Sequence, residues 1–162
     1  MSAVDHLLYA NKAYTAGFPG PRPLPPRLAL AVVACMDSRL DLFGALGLDI
    51  GDAHLVRNAG GLPTTDVLRS LALSQRYLGT REIMIIHHTD CGMEGFDDAA
   101  FRAELAAETG DEPPWAVPGF TDLRATVRHS VRTVRECPWL PHRDIVRGFT
   151  FDIATAGLEE VA

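Results

Sequence analysis

Residues 28–37 read LALAVVACMD, an almost unbroken apolar run that ends on a cysteine and an aspartate. Two more runs share this character, AHLVRN at 53–58 and EIMIIHH at 82–88. A strand buried on both faces produces continuous apolar text, whereas a half-exposed strand alternates, so these three read as strands of a parallel sheet covered on both sides. Between the second and third, DVLRSLALSQRYLG at 66–79 places Val67, Leu68, Leu71 and Tyr77 or Leu78 at helical spacing. Thr64, Thr65 or Asp66 can cap its start and Gly79 can stop it. A strand, helix, strand unit of this kind defines an α/β fold with a central, mostly parallel sheet flanked by helices.

Working outward, further helices are expected around 97–108 and at 121–136, where Leu123, Val127, Val131 and Val134 form an apolar stripe. The segment 109–120, TGDEPPWAVPGF, carries too much proline and glycine for regular structure and reads as a loop or lid. The final stretch, DIVRGFTFDIATAGLEEV, alternates and then turns through Ala156 and Gly157, which predicts a C-terminal antiparallel edge strand. At the other end, residues 3–16 read as a short helix, and FPGPRPLPP places five of the eleven prolines between Pro19 and Pro26. Residues 1–27 are therefore expected to form an N-terminal helix and proline-rich arm. Residues 28–162 would carry a metal-binding α/β body, the whole making a single domain.

The 162 residues, 47% hydrophobic and 22% charged, suffice for one ordinary core. A formal charge of −6 and an aromatic share of 7% argue against generic nucleic-acid binding. No apolar run approaches a membrane span, and the first residues lack a basic start and an apolar block, so no membrane partner and a cytoplasmic location are expected. Three cysteines, Cys35, Cys91 and Cys137, are too few and too scattered for a disulfide framework.

Open α/β sheets bind ligands beyond the carboxyl ends of their strands. There the chain reads C-M-D-S-R (Cys35, Asp37, Arg39), then R-N-A-G-G (57–61), then H-T-D-C-G (88–92). His88 and Cys91 can converge from one turn, and Cys35 joins them if the first and third strands are neighbours. Two thiolates and an imidazole on a tetrahedral Zn²⁺ leave one position open, the mark of a catalytic rather than a structural site. Metal-acidified water at that position would be a nucleophile at neutral pH. Asp37 stands close enough to orient it, and Arg39 would keep Asp37 ionised and aimed. If that pair breaks, Asp37 can instead become a fourth ligand and close the site. Arg57, Asn58, Gly60 and Gly61 can line an anion site, because paired glycines let backbone amides approach a bound species.

The motifs C-x-D-x-R, R-N-x-G-G and H-x-x-C-G, in that order, with the closing G-F-T-F-D-I-x-T-x-G-L, resemble the β-class carbonic anhydrases over about residues 28–161. The chain's length resembles a compact bacterial subgroup of that class. The resemblance implies one zinc per chain on Cys35, His88 and Cys91, with Asp37 and Arg39 as a catalytic dyad. It implies carbon dioxide and bicarbonate as substrates, and a homodimer or dimer of dimers with N-terminal arms wrapped around the neighbour. Plant-type members place a substrate-binding glutamine where Asp49 falls; here an acid stands instead. Related sequences hydrolyse carbonyl sulfide or carbon disulfide, linear cumulated molecules like carbon dioxide. The other alternative is a non-catalytic, zinc-stabilised scaffold closed by Cys35, Asp37, His88 and Cys91.

Other candidates have plainer readings. Cys137 in E-C-P-W-L has no ligand partner nearby in sequence and reads as core filler. His87 competes with His88, but adjacent strand residues face opposite ways and only His88 has the spacing to Cys91. His6, His54, His129 and His142 read as surface or hydrogen-bonded histidines. Arg124, Arg128, Arg132 and Arg135 read as a solvated helix edge.

Overall fold

The computed structural model describes residues 1–162. In chain order it comprises α1 (Ala3–Ala16), β1 (Leu30–Cys35), α2 (Leu42–Leu46), β2 (Ala53–Asn58), α3 (Thr65–Leu78), β3 (Glu82–His88), α4 (Asp98–Thr109), α5 (Leu123–Glu136), β4 (Val146–Phe151) and β5 (Leu158–Glu160). The sheet runs β2-β1-β3-β4-β5, parallel throughout except for the β4–β5 edge. β1 thus lies between β2 and β3, which makes the first and third apolar runs neighbours, as a shared Cys35, His88 and Cys91 site requires. No helix is long and apolar enough to cross a membrane.

The continuous apolar text of β1 has a direct physical cause. Ala31 and Val33 face one core together with Val67 and Leu71 of α3 and Val131 and Val134 of α5. Val32, Ala34 and Cys35 face a second core with Leu40, Leu42, Ile86, Cys91, Met93, Phe120 and Phe151. Each fully buried Val or Leu contributes about 1.5–3 kcal/mol relative to exposure, so β1 carries apolar side chains toward both cores. Helix α5 lies close on β4 because Gly148 has no side chain: a Cβ there would stand 2.5 Å from Val127 Cγ1 and 2.6 Å from Val131 Cγ2. Cys137 packs in the first core, as a small apolar residue does.

Two local expectations need correction. Helix α2 gave no periodic signal, being five residues with one buried side chain, Leu42; it is set by the Asp41 cap on Gly44 N and by left-handed Gly47. In α3, Tyr77 is exposed, and the buried face runs through Val67, Leu71, Ser74 and Gln75, polar residues with partners of their own. Ser74 Oγ lies 2.7 Å from Thr80 Oγ1, and the Gln75 side chain bonds the His142 main chain. Helix α1 is closed by a Ser2–Asp5 capping box yet buries no residue at all. Residues 18–27 have no regular structure and end at an Arg27–Asp52 ion pair of 2.7 Å.

Candidate metal centre and active site

Cys35 is the last residue of β1 and His88 the last of the neighbouring β3; the pairing runs to Ala34 opposite Ile86, which brings both ligands to the same end of the sheet. Cys91 returns on the turn after β3, which is pinned by Thr89 N donating to Phe151 O at 3.0 Å and Glu94 N donating to Cys91 O at 2.9 Å. Asp90, within that turn, adopts a left-handed φ of 54°. The ligating atoms of Cys35, His88 and Cys91 lie within 4.8 Å of one another, all three residues are buried, and the two sulfurs are 4.0 Å apart.

Their hydrogen bonding fits a metal. His88 Nδ1 lies 2.8 Å from Thr89 O; a carbonyl only accepts, so Nδ1 carries the proton and Nε2 presents a lone pair. That Nε2 is buried without a partner. A buried acceptor left empty beside two sulfurs is costly unless a cation takes it, and orientation of the ring through its other nitrogen is how metal-ligating histidines are held. Burial, with Cys35 adding to it, pushes the Cys91 thiol up to about 11, so a divalent cation is what would stabilise the thiolate.

Asp37 follows directly on the cluster. Arg39 Nε donates to Oδ1 at 3.0 Å and Oδ2 at 3.2 Å, Nη2 donates to Oδ2 at 2.7 Å, and Arg39 N donates to Oδ1 at 2.9 Å. These bonds hold the Asp37 carboxyl well below the usual carboxylate range. Oδ2 lies 3.8 Å from His88 Nε2, so the carboxylate borders the cluster while remaining on the arginine.

Sequence reasoning missed two contributions. Asp90 accepts from Arg39 Nη1 at 2.6 Å through Oδ2 and from Nη2 at 2.8 Å through its carbonyl, so Arg39 ties the two ligand loops together. The signal was present, an acid between the two ligands of H-T-D-C. Arg57, grouped in sequence with an anion site, donates to Cys35 O at 2.8 Å and Asp37 O at 2.6 Å and braces the β1 exit. Gly60 and Gly61 are buried in the turn after β2, where a Cβ on Gly61 would stand 2.7 Å from Cys35 N and 2.8 Å from Ala34 C. The space beside Gly61 is filled by β1 backbone, and that beside Gly60 by the side chains of Leu62 and Met93.

The remaining candidates lie apart. His87 faces away from the cluster, with Nδ1 at 2.8 Å from Gly60 O and Nε2 at 2.9 Å from Ser130 Oγ, and burial lowers its pKa to about 4. His54 bonds Ser74 at 2.8 Å, and Arg124, Arg128, Arg132 and Arg135 are exposed. Asp49 precedes β2 and lines a cleft with Arg22, Arg27 and Asp52, at the end of the sheet opposite to Cys35 within one chain.

The comparisons with known proteins agree with this geometry. A family model described as carbonic anhydrase matches residues 30–115. Beta-carbonic anhydrase 1 of Mycobacterium tuberculosis is 48% identical over 161 residues, 99% of each chain. The carbonic anhydrase of Streptococcus mutans superposes with a TM-score of 0.91 at 40% identity, over 100% of this chain and 99% of that one. A carbon disulfide hydrolase of Acidithiobacillus thiooxidans is 35% identical over 156 residues, 83% of this chain and 78% of the relative. The chain belongs to the β-carbonic anhydrase family of enzymes.

Proposed function

We propose that this protein catalyses the reversible hydration of carbon dioxide to bicarbonate and a proton, with one zinc per chain held by Cys35, His88 and Cys91. The observation that carries the reading is the unpartnered His88 Nε2 converging with two thiols beside an arginine-held carboxylate. Two sulfurs and an imidazole suit zinc among the common divalent ions. Bound there, zinc would supply Lewis acidity to water at the one position that three protein ligands leave open.

The chain's own residues do the rest. Asp37 Oδ2 accepts a hydrogen bond from a water at the cluster and turns that oxygen's lone pair toward substrate. Held at so low a pKa, it orients without retaining the proton, which passes to solvent. Arg39 keeps the carboxylate aimed, and Arg57 holds the backbone from which both Cys35 and Asp37 project. Gly61 supports Cys35 from behind, Gly60 packs on Leu62 and Met93, and the anion site suggested by their adjacency stays part of the proposal.

The carbon disulfide hydrolases among the relatives support a second reading on the same residues. Parallel assays separate the two: metal-loaded protein is expected to accelerate carbon dioxide hydration in stopped flow and to release no hydrogen sulfide from carbon disulfide or carbonyl sulfide. Sulfide release without hydration would transfer the assignment to a sulfur substrate, and bound zinc with neither activity would favour the closed scaffold.

A homodimer or dimer of dimers completes the proposal. Val4, Leu7, Leu8, Tyr9 and Tyr14 are each at least 51% exposed on α1, a helix too short to be stable unless packed on something, and a second copy is the occupant proposed. Light scattering is expected to give at least twice the chain mass for the full chain and a smaller assembly after removal of residues 1–16; a monomeric full chain contradicts this. The free thiols suit a reducing compartment, and the cytoplasm is proposed. Recovery of the protein outside the cytoplasm on cell fractionation would contradict that location.

A further inference from the structure

His87 is fully buried, ligates nothing, and sits between the ligand His88 and the middle of β3. Its hydrogen bonds assign its tautomer. Gly60 O can only accept, so Nδ1 carries the proton; Nε2 is then the acceptor, and the Ser130 hydroxyl donates to it. One ring therefore bridges α5, through buried Ser130, to the turn after β2, through Gly60.

That turn touches the proposed metal centre. Gly60 and Gly61 have φ of 77° and 66°, conformations that leave the direction of each peptide to be set by its contacts. Gly61 lies directly against Ala34 and Cys35, close enough that a Cβ would collide with Cys35 N. The turn also takes part in the β1 exit through Met36 N, which donates to Asn58 O at 2.8 Å. Ordinary core packing asks only for volume at position 87, whereas here both ring nitrogens are used and the Nδ1 bond ends on the shelf behind Cys35.

We infer that His87 is a positioning residue for the metal centre: its Nδ1–H to Gly60 O hydrogen bond fixes the Gly60–Gly61 shelf against β1 and so fixes Cys35 relative to His88 and Cys91. The inference rests on the reading of Cys35, His88 and Cys91 as metal ligands. The Ser130 bond orients the ring, while the Gly60 bond carries the positioning.

The two bonds can be separated by substitution. In H87N the amide reaches the place of Nδ1 and can still donate to Gly60 O; in H87Q it reaches the place of Nε2, toward Ser130, and the Gly60 bond is lost. S130A keeps the Gly60 bond and removes the other. Each protein is loaded with Zn²⁺ or Co²⁺, metal release to a chelator is timed, the thiolate-to-cobalt absorption is recorded, and thermal unfolding is followed alongside. Loss of partners that orient ligands costs about 10–100-fold in metal affinity, so H87Q is expected to release metal about tenfold faster and to shift the cobalt spectrum. H87N and S130A, although less stable, are expected to release it within about threefold of wild type, which separates metal holding from fold stability. Release from H87Q at the wild-type rate, or release that follows lost stability across all three variants, overturns the role of His87. If H87Q does not fold, H87N decides, since slow release supports the role and release about tenfold faster overturns it. Wild-type protein that holds neither metal refutes the metal centre itself and this role with it.

Discussion

Replacing Cys35 by serine is expected to abolish metal retention and turnover together. The serine hydroxyl does not ionise near neutral pH and is a poor partner for a thiophilic cation, and the nearest other donor on that strand end, Asp37, is held by Arg39. Loss of residues that merely orient ligands costs about 10–100-fold in affinity, and loss of a ligand exceeds that, so hydration falls to the uncatalysed background. Metal analysis after dialysis and stopped-flow hydration are read on the same sample. Cys137→Ser is the matched control: this thiol lies in the first core at the C-terminal end of α5, so the variant is expected to lose stability but keep metal and rate. Full activity in Cys35→Ser would remove the cysteine from the site.

Asp37→Ala separates holding the metal from using it. The three candidate ligating atoms meet without the Asp37 carboxylate, so metal content is expected to stay at the wild-type level. What disappears is the oxygen that Arg39 keeps beside His88 Nε2, and with it, in the proposed mechanism, the orientation of the reacting water. Misplacement by about 1 Å can cost about 100-fold in rate, and a fall in kcat of at least about that size is expected. Unchanged turnover in a variant that retains its metal would take Asp37 out of the mechanism.

Much of this protein is legible in its sequence because burial on both faces leaves a simple mark. The runs 28–37 and 82–88 mark β1 and β3 for this reason, since Ala31 to Cys35 are all needed in one core or the other; 53–58 also coincides with β2, but that edge strand is only half-buried, with Arg57 exposed, rather than covered on both sides as its text suggests. The stripe of Val127, Val131 and Val134 is legible for the same reason. Helix α2 is not, because capping at Asp41 and Gly47 rather than a buried face decides it. At the site, ligand spacing marks Cys35, His88 and Cys91 as candidates, but their convergence depends on β1 and β3 being neighbours, a long-range pairing that spacing leaves open. Arg57 and Asp90 act on main-chain and side-chain atoms of other segments, and Gly61 is small because β1 passes it closely. Such requirements are set by what lies across the fold, so in sequence Arg57 and Gly61 look free to line an anion site, and Asp90 looks like an ordinary turn residue.

The most direct measurement is a zinc titration of metal-free protein, prepared by chelation, with carbon dioxide hydration followed by stopped flow at each addition. The rate is expected to rise linearly from the uncatalysed background and to stop at one equivalent per chain. Zinc that saturates at one equivalent while the rate stays at background, or a rate that does not depend on zinc, would contradict the assignment.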